Sequence, residues 1–378
     1  MSSSSGCSLY AELLVNIRQV SIAASLDTPS DASTQVSLSA DARTVNLVHR
    51  GHTVRLILPG KAAVGGTLLP IQDREKGTTS LSWRLPADAG SLPPSRGQSG
   101  LEDIPWSATD LVSSSNVACR QCGADVVTAG SLNVWKDLPS ENWAEMMEFW
   151  HCHKPDHRHN HNADKDSGKA DEKSLASRGY GASSAIQAQQ GVGFVDLTSL
   201  LFAETDCHNI TLGFFNVRAS AVTLLKWQIL CRSASGAVPT APECLAATLI
   251  SSAARSGSSK SLITPMPDTA QNVGDKDIAK DALHIWMLNS GIVFSSSGVP
   301  QCAPAIKLLY RKISSGEADK MLASVTCDSQ EITLPAVTIR QIIQHLEESR
   351  TLLPPGERSF QGWDVALLSK WSKQMEHT

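Results

Sequence analysis

The sequence predicts an α+β fold, with a β-rich, sandwich-like N-terminal domain at residues 1–110 and a mixed α/β region at residues 111–378. Three observations lead to this prediction. Short alternating segments between Gly and Pro fill the first hundred residues, an amphipathic helix lies near the end, and Cys and His residues between them are spaced like zinc ligands. The chain has 378 residues, 41% of them hydrophobic, which suits about two to three domains.

Three segments of the N-terminal domain are expected to form strands. Residues 36–39, 52–58 and 81–85 alternate polar and apolar side chains, which is the period of a strand with one buried face. Gly and Pro follow the second segment, and Pro follows the third, so both end in turn signals. Residues 88–100 are rich in Gly, Ser and Pro and are expected to form a loop. Short strands with this punctuation favour a sandwich or a barrel-like layer.

The clearest helix of the chain is predicted at residues 337–349. Ile339, Ile342, Ile343 and Leu346 recur there at helical spacing, with charged residues on the opposite side. Other elements are expected at residues 243–254 (a short helix), at 282–289 and 291–294 (one strand, or a pair around a turn), and at 305–312 (a strand or a helix). Residues 154–190 are polar and nearly free of large apolar side chains, so we expect a disordered insertion.

Composition excludes several classes of function. Lys and Arg number 33 against 37 Asp and Glu, a net charge of −4, which disfavours direct, non-specific nucleic-acid binding. No stretch is apolar for long enough to span a membrane, and the N-terminal serine tract lacks the features of a secretion signal. Nine scattered cysteines are too few for a disulfide scaffold and suit a reducing compartment. We therefore expect a protein of the cytoplasm and nucleus that binds no membrane.

The sharpest local motif is a pair of cysteines, Cys119 and Cys122, followed by a glycine. Two thiolates at this spacing can hold one zinc ion from a tight turn, and the next thiolate and imidazole groups are His151, Cys152 and His153. We expect zinc at Cys119, Cys122, Cys152 and His153, with His151 as the alternative fourth ligand. Two reduced cysteines in a β-turn are the other interpretation. A redox pair is disfavoured, because no βαβ pattern surrounds the motif.

The segment between the two halves of this motif predicts a helix. Trp143, Met146, Met147 and Trp150 recur on one helical face, which is typical of core packing and would carry His151 and Cys152 toward the cysteine turn. A histidine tract follows at His157, His159 and His161. Metal binding by these three is one interpretation, and a solvated loop is the favoured one.

Several blocks in order resemble one known family. They are C-x-x-C-G at residues 119–123, L-P-S-x-N-W at 138–143 and W-x-C-H at 150–153, with further blocks at 105–108, 193–195, 225–230, 285–289, 307–310, 353–355, 358–360 and 363–368. Together they resemble the fungal members of the HECT-like E3 ubiquitin-protein ligase family, also described as ubiquitin-conjugating-enzyme (E2)-binding proteins. The resemblance runs from about residue 105 to residue 368.

The resemblance implies a set of partners and one activity. It implies binding of a ubiquitin-conjugating enzyme and HECT-like transfer of ubiquitin, including self-ubiquitination. It also implies cyclin binding and a link to the metal-dependent endonuclease that cleaves pre-mRNA at the 3′ end. The family can carry a further cysteine just before the block at 193–195, where this chain has Gly191 and Val192. If that cysteine is the fourth zinc ligand, His153 or His151 must replace it here.

HECT-type transfer needs a nucleophilic cysteine, and this sequence offers Cys327 as a weak candidate in a Thr-Cys setting. Cys302, Cys231, Cys207 and Cys244 rank below it, since buried structural thiols are the usual case. Two hypotheses follow. The protein is either a ubiquitin ligase that works through its own cysteine, or a non-catalytic, zinc-stabilised adaptor that binds a conjugating enzyme or binds and regulates the cleavage endonuclease.

Overall fold

The computed structural model describes residues 6–72, 75–91, 105–138, 187–196, 199–207, 214–216, 220–231, 238–265, 281–334 and 336–371. The chain divides into two compact units. The first combines Met1–Asp103 with Leu249–Thr378, and the second is Ile104–Thr248. This division differs from the expected one at residue 110, because strands from the two ends of the chain pair in one sheet.

The first unit begins with seven strands: β1 (Ser8–Leu14), β2 (Gln19–Ser25), β3 (Gln35–Leu38), β4 (Thr44–His49), β5 (His52–Ile57), β6 (Leu68–Leu69) and β7 (Ser80–Pro86). The second unit contributes eight: β8 (Val117–Cys119), β9 (Asp125–Val127), β10 (Val134–Asp137), β11 (Val192–Val195), β12 (Ser199–Phe202), β13 (Phe214–Asn216), β14 (Ala221–Leu225) and β15 (Ile229–Cys231).

The remaining elements are α1 (Ala241–Ser256), β16 (Lys260–Pro265), β17 (Asp281–Ser296), β18 (Val299–Ser314), α2 (Ser315–Leu322), β19 (Ser329–Leu334), α3 (Ala336–Arg350), β20 (Ser359–Phe360) and β21 (Trp363–Ser369). The described part of the chain is therefore mostly sheet with three α-helices, and the β-rich α+β prediction is confirmed at this level. Its helices are all too short or too polar to cross a membrane.

A nine-stranded sheet organises the first unit. Its main path is β20-β21-β18-β17-β1-β2-β7, with β16 on β17 and β19 on β16. Strand β17 has 16 residues and pairs with β18 on one side, and with β1 and β16 on the other. The two predicted segments at 282–289 and 291–294 thus belong to one strand, with register shifts near Asn289 in place of a turn. Residues 305–312, left open as strand or helix, lie in β18.

The N-terminal strands form two layers around one core. Strands β3 to β6 make a four-stranded sheet of order β5-β4-β3-β6. Its Val36, Val45 and Leu47 share a buried cluster with Leu9 and Ile22 of the large sheet. Burial of the alternate residues on each strand explains why the predicted strands at 36–39, 52–58 and 81–85 form where the sequence alternates.

Helix α3 confirms the predicted helix at 337–349. Ile339, Ile342, Ile343 and Leu346 are buried, as their spacing requires. The helix docks on β21, because the Leu367 backbone N–H donates to Ser349 Oγ at 3.2 Å. The helix predicted at 243–254 is also confirmed, as α1.

The second unit contains two small sheets, β10-β11-β12-β14-β13 and β15-β8-β9. Its core includes Trp106, Leu132, Trp135, Phe202 and Leu224. The predicted helix before His151, the histidine tract and residues 154–186 of the expected insertion lie outside the described residues.

Candidate functional site

The cysteine motif forms a tight turn at the end of β8. Cys119 is buried and pairs with Ile229 of β15, while Cys122 is exposed. The Gly123 N–H donates to the Cys119 carbonyl at 2.9 Å, and Gly123 adopts a φ of 73°, which a side chain would disfavour. The tight turn expected around Cys119 and Cys122 is therefore present, closed by a hydrogen bond between residues four apart.

Two backbone amides point at the Cys119 sulfur. The N–H groups of Gln121 and Cys122 lie 3.3 Å and 3.5 Å from Cys119 Sγ. Burial raises the pKa of Cys119, but hydrogen bonds from Cys122 and Gln121 outweigh it, so the net shift of this pKa is downward. The turn thus favours a thiolate at Cys119, which is the form that binds metal.

The structure places two of the expected zinc ligands together. Cys119 and Cys122 share the turn, whereas Cys152, His153 and the alternative His151 lie outside the described residues. Within the described ranges, no group of three or more Cys, His, Asp or Glu side chains could hold a metal ion. The donors present fit zinc, because both are thiols and backbone N–H groups lower the pKa of one of them, which favours its thiolate.

A buried lysine joins two of the blocks that carried the family resemblance. Lys226 is fully buried, and its Nζ donates to the carbonyls of Pro105 at 2.8 Å and Trp106 at 3.2 Å. Burial lowers the pKa of Lys226 to about 8. Trp106 and Trp227 are buried as well, so these motif residues build the interior of the second unit.

Most of the described thiols are poor nucleophiles. Burial raises the pKa of Cys207 to about 11, and the pKa values of Cys231 and Cys244 to about 12. Burial also raises the pKa of Cys302, whose thiol faces the Leu58 carbonyl at 3.7 Å. A buried thiol with a raised pKa is a poor nucleophile, so Cys207, Cys231 and Cys244 fit a structural role. Cys302 is partly exposed, and its raised pKa likewise disfavours attack on a thioester.

Cys327 lies in a different setting. It is partly exposed on the loop between α2 and β19, close to the fully exposed Val325. Its Sγ is 3.7 Å from the Ser329 carbonyl, and Ser329 Oγ is 3.4 Å from His284 Nε2. Burial, with a smaller effect of Lys260, lowers the pKa of His284, which favours the neutral form of its imidazole. Nothing in the sequence near Cys327 signalled this histidine, because it lies on β17.

These features define a β-rich protein. Its second unit contains the turn with Cys119 and Cys122, and its first unit contains the partly exposed Cys327, which Ser329 links to His284. The chain belongs to the HECT-like ubiquitin-conjugating enzyme (E2)-binding family, whose model matches residues 12–365. The match begins well before residue 105, so the N-terminal strands are part of the family's fold.

Two fungal relatives were found. The chain is 30% identical over 127 residues to an uncharacterized protein of Saccharomyces cerevisiae, which covers 30% of this chain and 36% of that protein. It is 43% identical over 54 residues to an uncharacterized protein of Schizosaccharomyces pombe, covering 13% and 15%. The chain thus spans about a third or less of each relative's length in these matches. No solved structure matches the chain.

Proposed function

We propose that this protein binds a ubiquitin-conjugating enzyme and promotes the transfer of ubiquitin to protein lysines, including its own. The observation that carries the proposal is the family match over residues 12–365, whose description names binding of a ubiquitin-conjugating enzyme. The direct partners in this proposal are the conjugating enzyme and ubiquitin, and the expected location is the cytoplasm and nucleus.

Cys327 is the acceptor cysteine in this proposal. Its thiolate attacks the thioester between ubiquitin and the conjugating enzyme, the enzyme's thiolate leaves, and a new thioester forms on Cys327. A substrate lysine amine then attacks that thioester, an amide forms, and the Cys327 thiolate leaves as the amine loses its proton to a base. Two observations support this assignment: Cys327 is partly exposed, and Ser329, whose carbonyl faces the Cys327 thiol, also contacts the His284 imidazole through its hydroxyl.

A thioester assay tests this route. The full chain, a charged conjugating enzyme and ubiquitin should give a ubiquitin adduct that reducing agent removes. Cys327→Ser should abolish that reducible adduct, while Cys302→Ser, a partly exposed thiol in the same unit, should leave it intact. A reducible adduct of normal yield on Cys327→Ser would show that a different cysteine accepts ubiquitin.

The second candidate function is a non-catalytic, zinc-stabilised adaptor that docks the conjugating enzyme or binds and regulates the pre-mRNA 3′-end cleavage endonuclease. One observation favours it. Among the described thiols, the one whose pKa is lowered is Cys119, which is buried in the turn and suits a structural ligand. Ubiquitin transfer that survives in Cys327→Ser, together with binding of the protein to the endonuclease, would support the adaptor function. Cyclin remains a further proposed partner.

A structural zinc ion belongs to both versions of the proposal. Cys119 and Cys122 would hold it from the turn, with Cys152 and His153, or His151, completing four ligands. The preformed N–H contacts to Cys119 Sγ support this role, since they stabilise the charge that a zinc ligand needs. The metal would cross-link the second unit and take no part in ubiquitin transfer.

A further inference from the structure

A row of aromatic and cationic side chains lies on one face of the large sheet. We call it the aromatic surface and define it as Phe360, Trp363, Arg311, His284, Trp286 and Lys260. Strand register places these residues on one face. Phe360 is opposite Trp363, His284 is opposite Arg311, and Trp286 is opposite Lys260.

The rings of this surface hold one another in place. The ring centroids of His284 and Trp363 are 4.7 Å apart, and those of Trp286 and Trp363 are 6.3 Å apart, both in edge-to-face arrangements. The Arg311 guanidinium lies 4.3 Å from the Trp363 ring centre, and Lys260 Nζ lies 5.4 Å from that of Trp286. These contacts order the side chains before any ligand binds.

The surface is open to solvent at the end formed by β20 and β21. Phe360 is 51% exposed and Arg311 is exposed, while Trp363, Trp286 and His284 are half-buried. An exposed large aromatic beside half-buried tryptophans is unusual for a purely structural surface and typical of a binding site.

Arg311 is held firmly and keeps donors to spare. Its Nε and Nη2 donate to the carbonyls of Gly362 and Gln361, each at 3.1 Å. Gln361 and Gly362 have positive φ values of 47° and 78°, and a side chain on Gly362 would come within 3.4 Å of Arg311 Nη2. A guanidinium has five N–H donors, so three of them have no hydrogen-bond acceptor among the described residues. Among the described residues, no carboxylate lies within 4.0 Å of Arg311.

The acidic side chains of this face of the sheet lie at the end opposite to Arg311. At the far end Lys260 pairs with Asp328 at 2.6 Å, and Glu331 accepts from Thr264 at 2.9 Å. Arg311 lies three strands away from Glu331, about 14 Å at the usual strand spacing. The end that carries Phe360, Trp363 and Arg311 is therefore positive and apolar at once.

We propose that the Phe360–Trp363–Arg311 end of the aromatic surface binds an extended protein segment that carries a carboxylate next to a bulky apolar side chain. The carboxylate accepts hydrogen bonds from the open donors of Arg311, and the apolar side chain packs on Phe360 and the edge of Trp363. A nucleic acid fits less well, because the Arg311 guanidinium covers the face of Trp363 on which a base would stack. This inference is independent of the proposed ubiquitin transfer.

Fluorescence anisotropy with the full chain tests the inference. The probe is a labelled decapeptide with two Glu-Phe pairs separated by Gly and Ser. Arg311→Gln should weaken binding about tenfold, the usual size of a charge-assisted hydrogen bond, and Phe360→Ser should weaken it severalfold. Replacing Glu by Lys in the peptide should abolish binding, and added salt should weaken it.

The matched control is Lys312→Gln. Lys312 is the next residue on β18, lies on the opposite face, is similarly exposed and pairs with Glu347. The Lys312→Gln substitution should change the affinity for the peptide less than twofold. Equal losses for Lys312→Gln and Arg311→Gln would overturn the proposal, as would tighter binding of a single-stranded oligothymidylate than of the peptide. If Arg311→Gln lowers the melting temperature, its loss of binding could reflect destabilisation, and Phe360→Ser then provides the test. Unchanged peptide binding by Phe360→Ser would also overturn the proposal.

Discussion

The ammonium group of Lys226 donates a hydrogen bond to the backbone carbonyl of Trp106, 120 positions earlier in the chain. A second bond reaches Pro105, so one buried cation ties together two of the sequence blocks shared with the family. Charged groups are rarely buried without an opposite charge, and here carbonyl dipoles stabilise the cation instead. The blocks around Trp106 and Lys226 thus stabilise the interior of the second unit.

This buried lysine predicts a pH dependence. The pKa of Lys226 is about 8 in the folded protein, and about 10.5 is its ordinary value. Between these two pH values the unfolded chain binds more protons than the folded one, so this lysine makes stability rise with pH. From pH 7 to pH 9 its contribution should grow by about 1 kcal/mol.

Urea denaturation of the wild type and Lys226→Met at pH 7 and pH 9 measures the effect. The buried thiols, whose pKa values are raised, lower the stability of both proteins as the pH rises toward 9, so the comparison uses the difference between the two proteins at each pH. That difference should move by about 1 kcal/mol in favour of the wild type at pH 9. A difference that is the same at both pH values would contradict a lowered pKa at Lys226.

The cysteine turn predicts one zinc ion per chain. Cys119→Ser should lose that zinc and lower the melting temperature by several degrees, since structural zinc is coupled to folding. Native mass spectrometry measures the metal and calorimetry the melting temperature. Cys302→Ser, whose thiol is far from any proposed ligand in sequence, should keep both unchanged. Unaltered metal content and melting temperature in Cys119→Ser would show that the turn holds no structural zinc.

A buried ion pair in the large sheet predicts a stability loss. Glu12 is buried, accepts a hydrogen bond from the Tyr10 hydroxyl at 2.8 Å and pairs with Lys307 at 2.9 Å. Lys307→Met removes the cation and leaves a buried carboxylate without its charge partner, which should cost about 3 kcal/mol of unfolding free energy.

Two further variants separate charge pairing from packing. Adding Glu12→Gln to Lys307→Met should recover most of the loss, because the unpaired charge is then absent. Lys312→Met breaks an exposed pair with Glu347 and should cost less than about 0.5 kcal/mol. Equal losses in Lys307→Met and Lys312→Met, measured by urea denaturation, would argue against a buried pair.

Local pattern predicted some elements well. The helix Ala336–Arg350 follows from the 3.6-residue recurrence of its isoleucines and Leu346, because one face of it is buried and the other is solvated. Strand β1 was not predicted, and the reason is physical. Its central residues are buried on both faces, so Ser8–Leu14 shows no alternation of polar and apolar side chains. For residues 282–294 the sequence allows one strand or a pair around a turn, and the structure shows one strand, β17, with an irregularity between Asn289 and Ile292.

The sequence by itself determined the family, through motifs whose order along the chain is specific, and it determined the cysteine turn, because two thiols and a glycine at fixed spacing are a local property. Only the tertiary structure decided which distant residues meet. It placed Lys226 under the carbonyls of Pro105 and Trp106, brought His284 to the loop of Cys327, and stacked Arg311 on Trp363. Each of these contacts joins segments that are remote in the sequence, and for Arg311 and Trp363 strand pairing brings them together, which local sequence pattern does not encode.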